Sequence, residues 1–388
     1  MKVYCPLILL VALLTASAAP ADLATLFTNV SHTAAMPRRP SIIFIQCHDL
    51  ARGDLSCYGQ TNFQTPNLDV LARDGVRFTH YTGGADSAAT TAQLLNGKNS
   101  PAGRDELNLA QRLRKNGYHT GLIGEWSLPG KPWEHGFDEF AGFLRDDEAR
   151  DYFADGLWRY APNAIYDTNS NRMTTYVGRE MIYPNTGGRR GKYLPELFIS
   201  AMNNFIRDNQ PDFVNHYRPF FLLVNLPAPR SALVDQDEFP VPTDAPFTGE
   251  AWPQAAKNRA ALITRLDAGI GRLFEQLDKI GMTNNCAVFF TSSSAPEKFA
   301  NTNLNFLLPT ADFRDPKNSA PAPLPMLAKW PRKITGGQVS SLKWSPTDFP
   351  ATALDISYSK PETNFGGISV LRVLDGRSQT NMPSDRVF

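Results

Sequence analysis

The sequence predicts an α/β fold in which a mostly parallel, mixed sheet is covered by helices on both faces. Two observations carry this. Short continuous apolar runs rich in β-branched and aromatic residues, such as SIIFIQ (41–46), PFFLLVNL (219–226) and CAVFFT (286–291), read as strands buried on both sides. Segments of helical periodicity lie between such runs, so strand and helix alternate, as the crossovers of a parallel sheet require.

The elements follow in order. MKVYCPLILLVALLTASAAPAD opens with one lysine, then an apolar run, then small residues ending in Ala16-Ser17-Ala18. This pattern predicts a signal peptide over 1–19 and hence export to the periplasm or extracellular space. A linker over 20–39 ends in Pro37-Arg38-Arg39-Pro40. SIIFIQ is the first strand. PNLDVLARDG (66–75) is a helix with proline at its first position and Gly75 at its end. VRFTHY (76–81) is a strand. GADSAATTAQLLNGK (84–98) holds a short helix to about Leu95, whose start Asp86 or Ser87 caps. A helix over 105–116, the strand YHTGLIG (118–124), a helix over 194–208 and the strand PFFLLVNL come next. From about Ala256 to Ile280, Ile263, Leu266, Ile270, Leu273 and Leu277 mark one apolar helical face, which Gly281 stops. CAVFFT and LPMLAKW (324–330) are the last two strands.

Composition bounds the function. The 388 residues are 42% hydrophobic and 11% aromatic, enough for a packed core, and the net charge of +1 excludes a strong field for nucleic acid or anionic lipid. No segment after the leader reads as a membrane span. Arg189, Arg190 and Lys192 form a small basic spot that reads as a solvated loop. Beyond Cys5, three cysteines remain, Cys47, Cys57 and Cys286, with no C-x-x-C pair. An odd count leaves a free thiol, and neither structural zinc nor a disulfide scaffold is expected.

Ligands of such sheets bind beyond the carboxyl ends of the strands. The loops to inspect are therefore Gln46–Leu50, Gly83–Thr91, Glu125–Leu128, Pro227–Ser231 and Ser292–Ala295. Several ordered segments carry a resemblance: HDLARGDLSCYGQTNFQTPNLDVLARDGVRFTHYTGG, LLNGK, NGYHTGLIGEW, HGFDEFAGF, PFFLLVNLPAP, LDAGIGRLF, AVFFTS, PLPMLAKWP and TDFPATALD. Together they resemble the sulfatase family of the alkaline phosphatase superfamily, over about residues 40–375. The resemblance implies the alkaline phosphatase/sulfatase-like fold, with 376–388 as the start of a C-terminal subdomain that the chain lacks. It also implies a formylglycine nucleophile, a calcium ion that polarises a sulfate ester, and lysine and histidine side chains around it.

Laid on this sequence, the resemblance keeps the frame and loses the chemistry. Gly53, Asp54, Tyr58, Gly59, Trp126, Gly136, Phe137, Asp138 and Trp330 stand where the family's scaffold residues do. The paired aspartates of the metal site fall on His48 and Asp49, and the later metal-ligand pair on Ser293 and Ser294. The formylglycine position falls on Ser87, with Thr91 where the motif requires arginine. Family lysine and histidine positions carry Glu125 and Arg230, and Ser127 replaces a further histidine. The later catalytic lysine aligns with Arg314 or Lys317. The expectation is a non-catalytic, exported protein of this fold that binds sulfated or acidic carbohydrate, or a protein partner. No cofactor is expected. The alternative is a sulfuric ester hydrolase with a rebuilt site, which would need calcium. The charge reversals further predict an ion pair between Glu125 and Arg230, with Asp49 as the other carboxylate available to Arg230.

Overall fold

The computed structural model of the chain describes residues 39–98, 106–145, 147–148, 152–167, 172–210, 218–231, 239–296, 306–308, 323–359 and 365–376. The expected signal peptide, nearly all of the linker, Arg314, Lys317 and all but the first residue of the segment 376–388 lie outside them.

Among the described residues ten strands form one sheet: β1 (Ser41–Cys47), β2 (Val76–Thr82), β3 (His119–Glu125), β4 (Glu139–Phe143), β5 (Gly156–Asp167), β6 (Arg172–Met181), β7 (Phe220–Leu226), β8 (Cys286–Ser292), β9 (Pro323–Lys329) and β10 (Gln338–Trp344). Their order across the sheet is β10-β2-β9-β8-β1-β7-β3-β4-β5-β6. The centre, β8-β1-β7-β3-β4, is parallel throughout. β9 runs antiparallel between β8 and β2, while β10 pairs parallel with β2. β5 and β6 continue antiparallel from β4. The sheet is thus the mixed, mostly parallel one expected, but with four strands the sequence reading omits. β10 follows LPMLAKW, so that segment is not the last strand.

Among the described residues seven helices flank the sheet: α1 (Pro66–Arg73), α2 (Ser87–Asn96), α3 (Leu109–Lys115), α4 (Leu194–Asp208), α5 (Gln254–Lys279), α6 (Phe349–Ile356) and α7 (Leu371–Leu374). The period-two rule of a strand divides the core. Ile43, Ile45 and Cys47 of β1 face α1, α4 and α5, and the intervening Ile42 and Phe44 face α2, α3, α6 and α7. All seven β1 residues are buried. Each large apolar side chain so removed from water contributes roughly 1.5 to 3 kcal/mol, which fixes the sheet's centre on this strand.

Helix ends account for local differences from the sequence reading. α3 starts at Leu109 rather than 105 because Asn108 caps it, accepting from Gln111 N at 2.9 Å while Gln111 returns a bond to Asn108 N. α1 takes its cap from α5: Asp267 accepts from Leu68 N at 2.8 Å and from Asn67 N at 3.2 Å. Burial raises the Asp267 pKa, and those bonds partly offset it.

Candidate functional site

The five loops beyond the strand ends are tied to one another. After β8, Ser293 N donates to Cys47 O at 2.7 Å, and Leu50 N donates to Ser292 Oγ at 3.0 Å. After β1, His48 N donates to Leu226 O at 2.9 Å at the end of β7. Asn225, on β7 beside Gln46 in register, donates from Nδ2 to Glu125 O at 3.1 Å. The β2–α2 loop joins through Thr90, whose hydroxyl accepts from Gly84 N at 2.7 Å and donates to Ser293 O at 2.6 Å.

One buried cation anchors two of these loops from beneath. Arg259 on α5 holds Asp54 with two hydrogen bonds, Nε to Oδ1 at 3.1 Å and Nη2 to Oδ2 at 2.6 Å. The same guanidinium donates to Asp49 O at 2.8 Å and to Pro229 O at 3.1 Å. Asp54 also accepts from Ala51 N at 2.8 Å, so this pair sets the path of the chain after β1. Tyr152 supports the other side, donating to Arg230 O at 2.6 Å.

Four charged groups sit on this frame. Glu125 lies at the end of β3, and its Oε2 is 3.8 Å from Arg230 Nη1. The side chains are 4% and 12% exposed, so each charge is largely desolvated. His48 Nδ1 lies 3.1 Å from Asp49 Oδ1, and Ser294 Oγ donates to the same oxygen at 2.7 Å. Asp49 adopts the left-handed conformation (φ 61°), which Asp tolerates better than most residues. Burial opposes charging of His48, but Asp49 and then Glu125 outweigh it and raise its pKa above 6.5. Burial likewise opposes ionisation of Asp49. Its bonds to His48 and Ser294, with Arg230 nearby, nonetheless hold its pKa below the usual value.

These directions give a pH dependence. A raised folded-state pKa means that the His48 contribution to stability is complete below the unfolded pKa, about 6.5, and is lost as pH rises through the folded value. The Asp49 contribution is present above about pH 4 and is lost as pH falls through its lowered folded pKa. The thermal midpoint is therefore expected to fall as pH rises above about 6.5, and this component of the fall to vanish in His48→Asn. Parallel midpoint curves for the two proteins would contradict the assignment.

Ser87 is the first residue of α2 and is half-buried. The cap is Asp86, which accepts from Ala89 N at 2.7 Å. Ser87 makes no hydrogen bond among the described residues, so no base there activates its hydroxyl. Thr91, one turn further on, is fully buried and accepts from Gln46 Nε2 at 2.9 Å. A neutral pair therefore fills the place at which the resemblance puts an arginine.

The metal-ligand positions do not suit calcium. A hard dication takes six to eight oxygens with several carboxylates among them. Here Asp49 supplies one carboxylate, already bonded to His48 and Ser294. Ser293 Oγ donates to Cys47 O at 3.1 Å. No group of three His, Cys, Asp or Glu side chains suited to a metal occurs among the described residues.

Arg259 and Tyr152 went unmarked in the sequence, whereas Gln46 and Thr90 lay within the loops to inspect but had no role assigned. Arg259 had one sign. It continues the stripe of Ile263, Leu266 and Ile270 one turn toward the helix start, where a charged residue must find a buried partner.

Comparisons with known proteins identify the family to which the chain is similar. The sulfatase family profile matches residues 40–357. Human N-acetylgalactosamine-6-sulfatase is 27% identical over 384 residues, covering 88% of this chain and 67% of its own length. N-acetylglucosamine-6-O-sulfatase of Bacteroides thetaiotaomicron is 23% identical, covering 90% and 73%. The chain thus spans about two thirds to three quarters of these two relatives. Among solved structures, Ps i-CgsB in complex with k-i-k-neocarrahexaose superposes with a TM-score of 0.64 at 23% identity, over 88% of this chain and 77% of that one. A protein bound to its substrate D-glucosamine-2-N,6-O-disulfate gives a TM-score of 0.64 at 20% identity, over 90% and 82%. At these identities the structural likeness carries the fold.

Proposed function

We propose, from the premise that this chain belongs to the sulfatase family, that it recognises sulfated or acidic carbohydrate without hydrolysing sulfate esters. The observation that carries the reading is the buried Glu125–Arg230 pair. The resemblance puts both positions against the sulfate, where the family has a lysine and a histidine. Glu125 stands where the resemblance puts a cationic lysine, so the side chain that would stabilise charge developing during ester cleavage is lost, while Arg230 still offers one cation for binding. The donor set around Asp49 does not suit calcium, so no metal is assigned to the site and no step is drawn through one. Among the described residues, unmodified Ser87 has no hydrogen-bonded base to activate it as a nucleophile.

Recognition, by contrast, needs no nucleophile. Arg230 is a bidentate donor for a carboxylate or sulfate oxygen pair once Glu125 releases it. The relatives that act on sulfated amino sugars supply the class of ligand to try.

The test is direct. The purified chain is incubated with 4-methylumbelliferyl sulfate and with N-acetylgalactosamine-6-sulfate, with and without calcium, and binding of the sugar is followed by calorimetry. The expected result is binding without sulfate release, and loss of binding in the double variant Glu125→Gln/Arg230→Gln, which leaves no buried charge unpaired. Sulfate release that calcium stimulates and Ser87→Ala abolishes would establish the rebuilt hydrolase instead. Absence of both binding and release would overturn the carbohydrate reading.

A further inference from the structure

A cavity of about 460 Å³ lies between α4 and the strands β4, β5 and β6. None of His48, Asp49, Ser87, Glu125, Arg230, Ser293 or Ser294 lines it. Its volume falls in the range of small-molecule pockets. The floor and inner wall are apolar: Ile123 and Phe140 from the sheet, Phe198 and Phe205 from α4. These aromatic rings are anchored, Phe198 edge-on to Phe143 at 5.8 Å and Phe205 edge-on to Phe220 at 5.5 Å. The walls are therefore preformed. At the mouth, Met181 and Tyr183 leave 37% and 75% of their surface in water, an exposure that apolar side chains together adopt mainly at binding surfaces.

The rim charges decide what fits. Arg159 pairs with Glu180 at 3.0 Å, Glu139 with His119 at 2.7 Å, and Asp208 with Arg207 at 3.2 Å. Lys192 differs. Its backbone is fixed by Asn185, which accepts from Lys192 N at 2.6 Å and donates to Lys192 O at 2.8 Å. Its ammonium has no ion-pair partner among the described residues. The neighbouring arginines of the basic spot are used elsewhere, Arg189 on Thr186 O at 2.9 Å and Arg190 over the Phe153 ring. The basic spot is therefore more than a solvated loop: among the described residues, the Lys192 ammonium stands without an ion-pair partner at the edge of an apolar cavity.

We propose that this cavity binds an amphiphilic monoanion, with its apolar body against Phe140, Phe198 and Phe205 and its carboxylate or sulfate head on Lys192. A polyanionic sugar does not match a mainly apolar wall whose lining, among the described residues, offers Lys192 alone without an ion-pair partner. An uncharged apolar molecule leaves Lys192 without a counter-charge.

The probe is 8-anilinonaphthalene-1-sulfonate, titrated into the full chain by fluorescence, with dodecanoate and dodecanol as competitors. Saturable binding at one site is expected, displaced by dodecanoate at least tenfold more effectively than by dodecanol. Lys192→Glu, a surface change that spares the fold, should weaken binding at least tenfold. Ala201→Trp, which fills the cavity from α4, should abolish it, with far-UV circular dichroism confirming that the variant is folded. Unsaturable fluorescence, equal displacement by the two competitors, or insensitivity to Lys192→Glu would overturn the proposal. None of these readouts depends on the Glu125–Arg230 pocket, so the two readings fail separately.

Discussion

Replacing Arg259 by methionine is expected to lower stability by roughly 3 to 5 kcal/mol, the cost of leaving a buried partner uncompensated. Asp54 is fully buried and would lose both of its guanidinium bonds. Asp49 O and Pro229 O would lose their donor in the same step, so the loops after β1 and β7 would loosen together. Urea unfolding followed by tryptophan fluorescence reads this as a lower midpoint at unchanged slope. The double variant Asp54→Leu/Arg259→Met should recover much of the loss, since removing both partners of a buried pair costs far less than removing one. A single variant within about 1 kcal/mol of wild type would show that the pair does not hold the loops.

The second large effect comes from Gly124→Ala. Gly124 has φ 104°, and a Cβ there would stand 1.8 Å from Asn225 O. Both residues sit in the β3–β7 register, so neither backbone can move without opening the ladder that carries Glu125. Gly117 provides the control: its φ is 87°, but a Cβ meets nothing within 4 Å. Gly117→Ala should cost about 1 to 2 kcal/mol, the conformational strain alone. Gly124→Ala carries that strain plus a backbone collision, and is expected to yield no cooperatively folded protein by calorimetry. Equal melting temperatures for the two variants would mean that β3 and β7 are not so close at the site.

The contrast between what the sequence reveals and what it hides follows from where each residue gets its energy. The central strands announce themselves because burial on both faces demands unbroken apolar runs such as SIIFIQC and FFLLVNL. The four omitted strands lie on the flanks. β4 is five residues, EFAGF, and owes its place to pairing with β3 rather than to its own propensity. β10 alternates exposed and buried residues through QVSSLKW, with Val339 60% exposed, which dilutes its apolar signal. At the site, the opposite charges of Glu125 and Arg230 were enough to anticipate their contact, because resemblance to known proteins had already made those positions neighbours. The Arg259–Asp54 pair spans 205 residues and has no local signature. The cavity beside α4 is equally silent, since its walls come from five separate elements, each of which reads locally as ordinary core.

The central position of β1 also has a consequence for synthesis. The chain makes SIIFIQC early, but its two neighbours arrive late: Ser41 meets Phe220 across 179 residues, and Cys47 meets Ser292 across 245. At roughly 5 to 20 residues per second, the first of these partners leaves the ribosome about ten to forty seconds after β1 does. For that interval a strand destined for full burial has unpaired edges on both sides, the condition under which nascent chains associate. The order of translation thus makes this segment a natural client for holdase chaperones. Slowing elongation would be expected to lower the yield of folded protein.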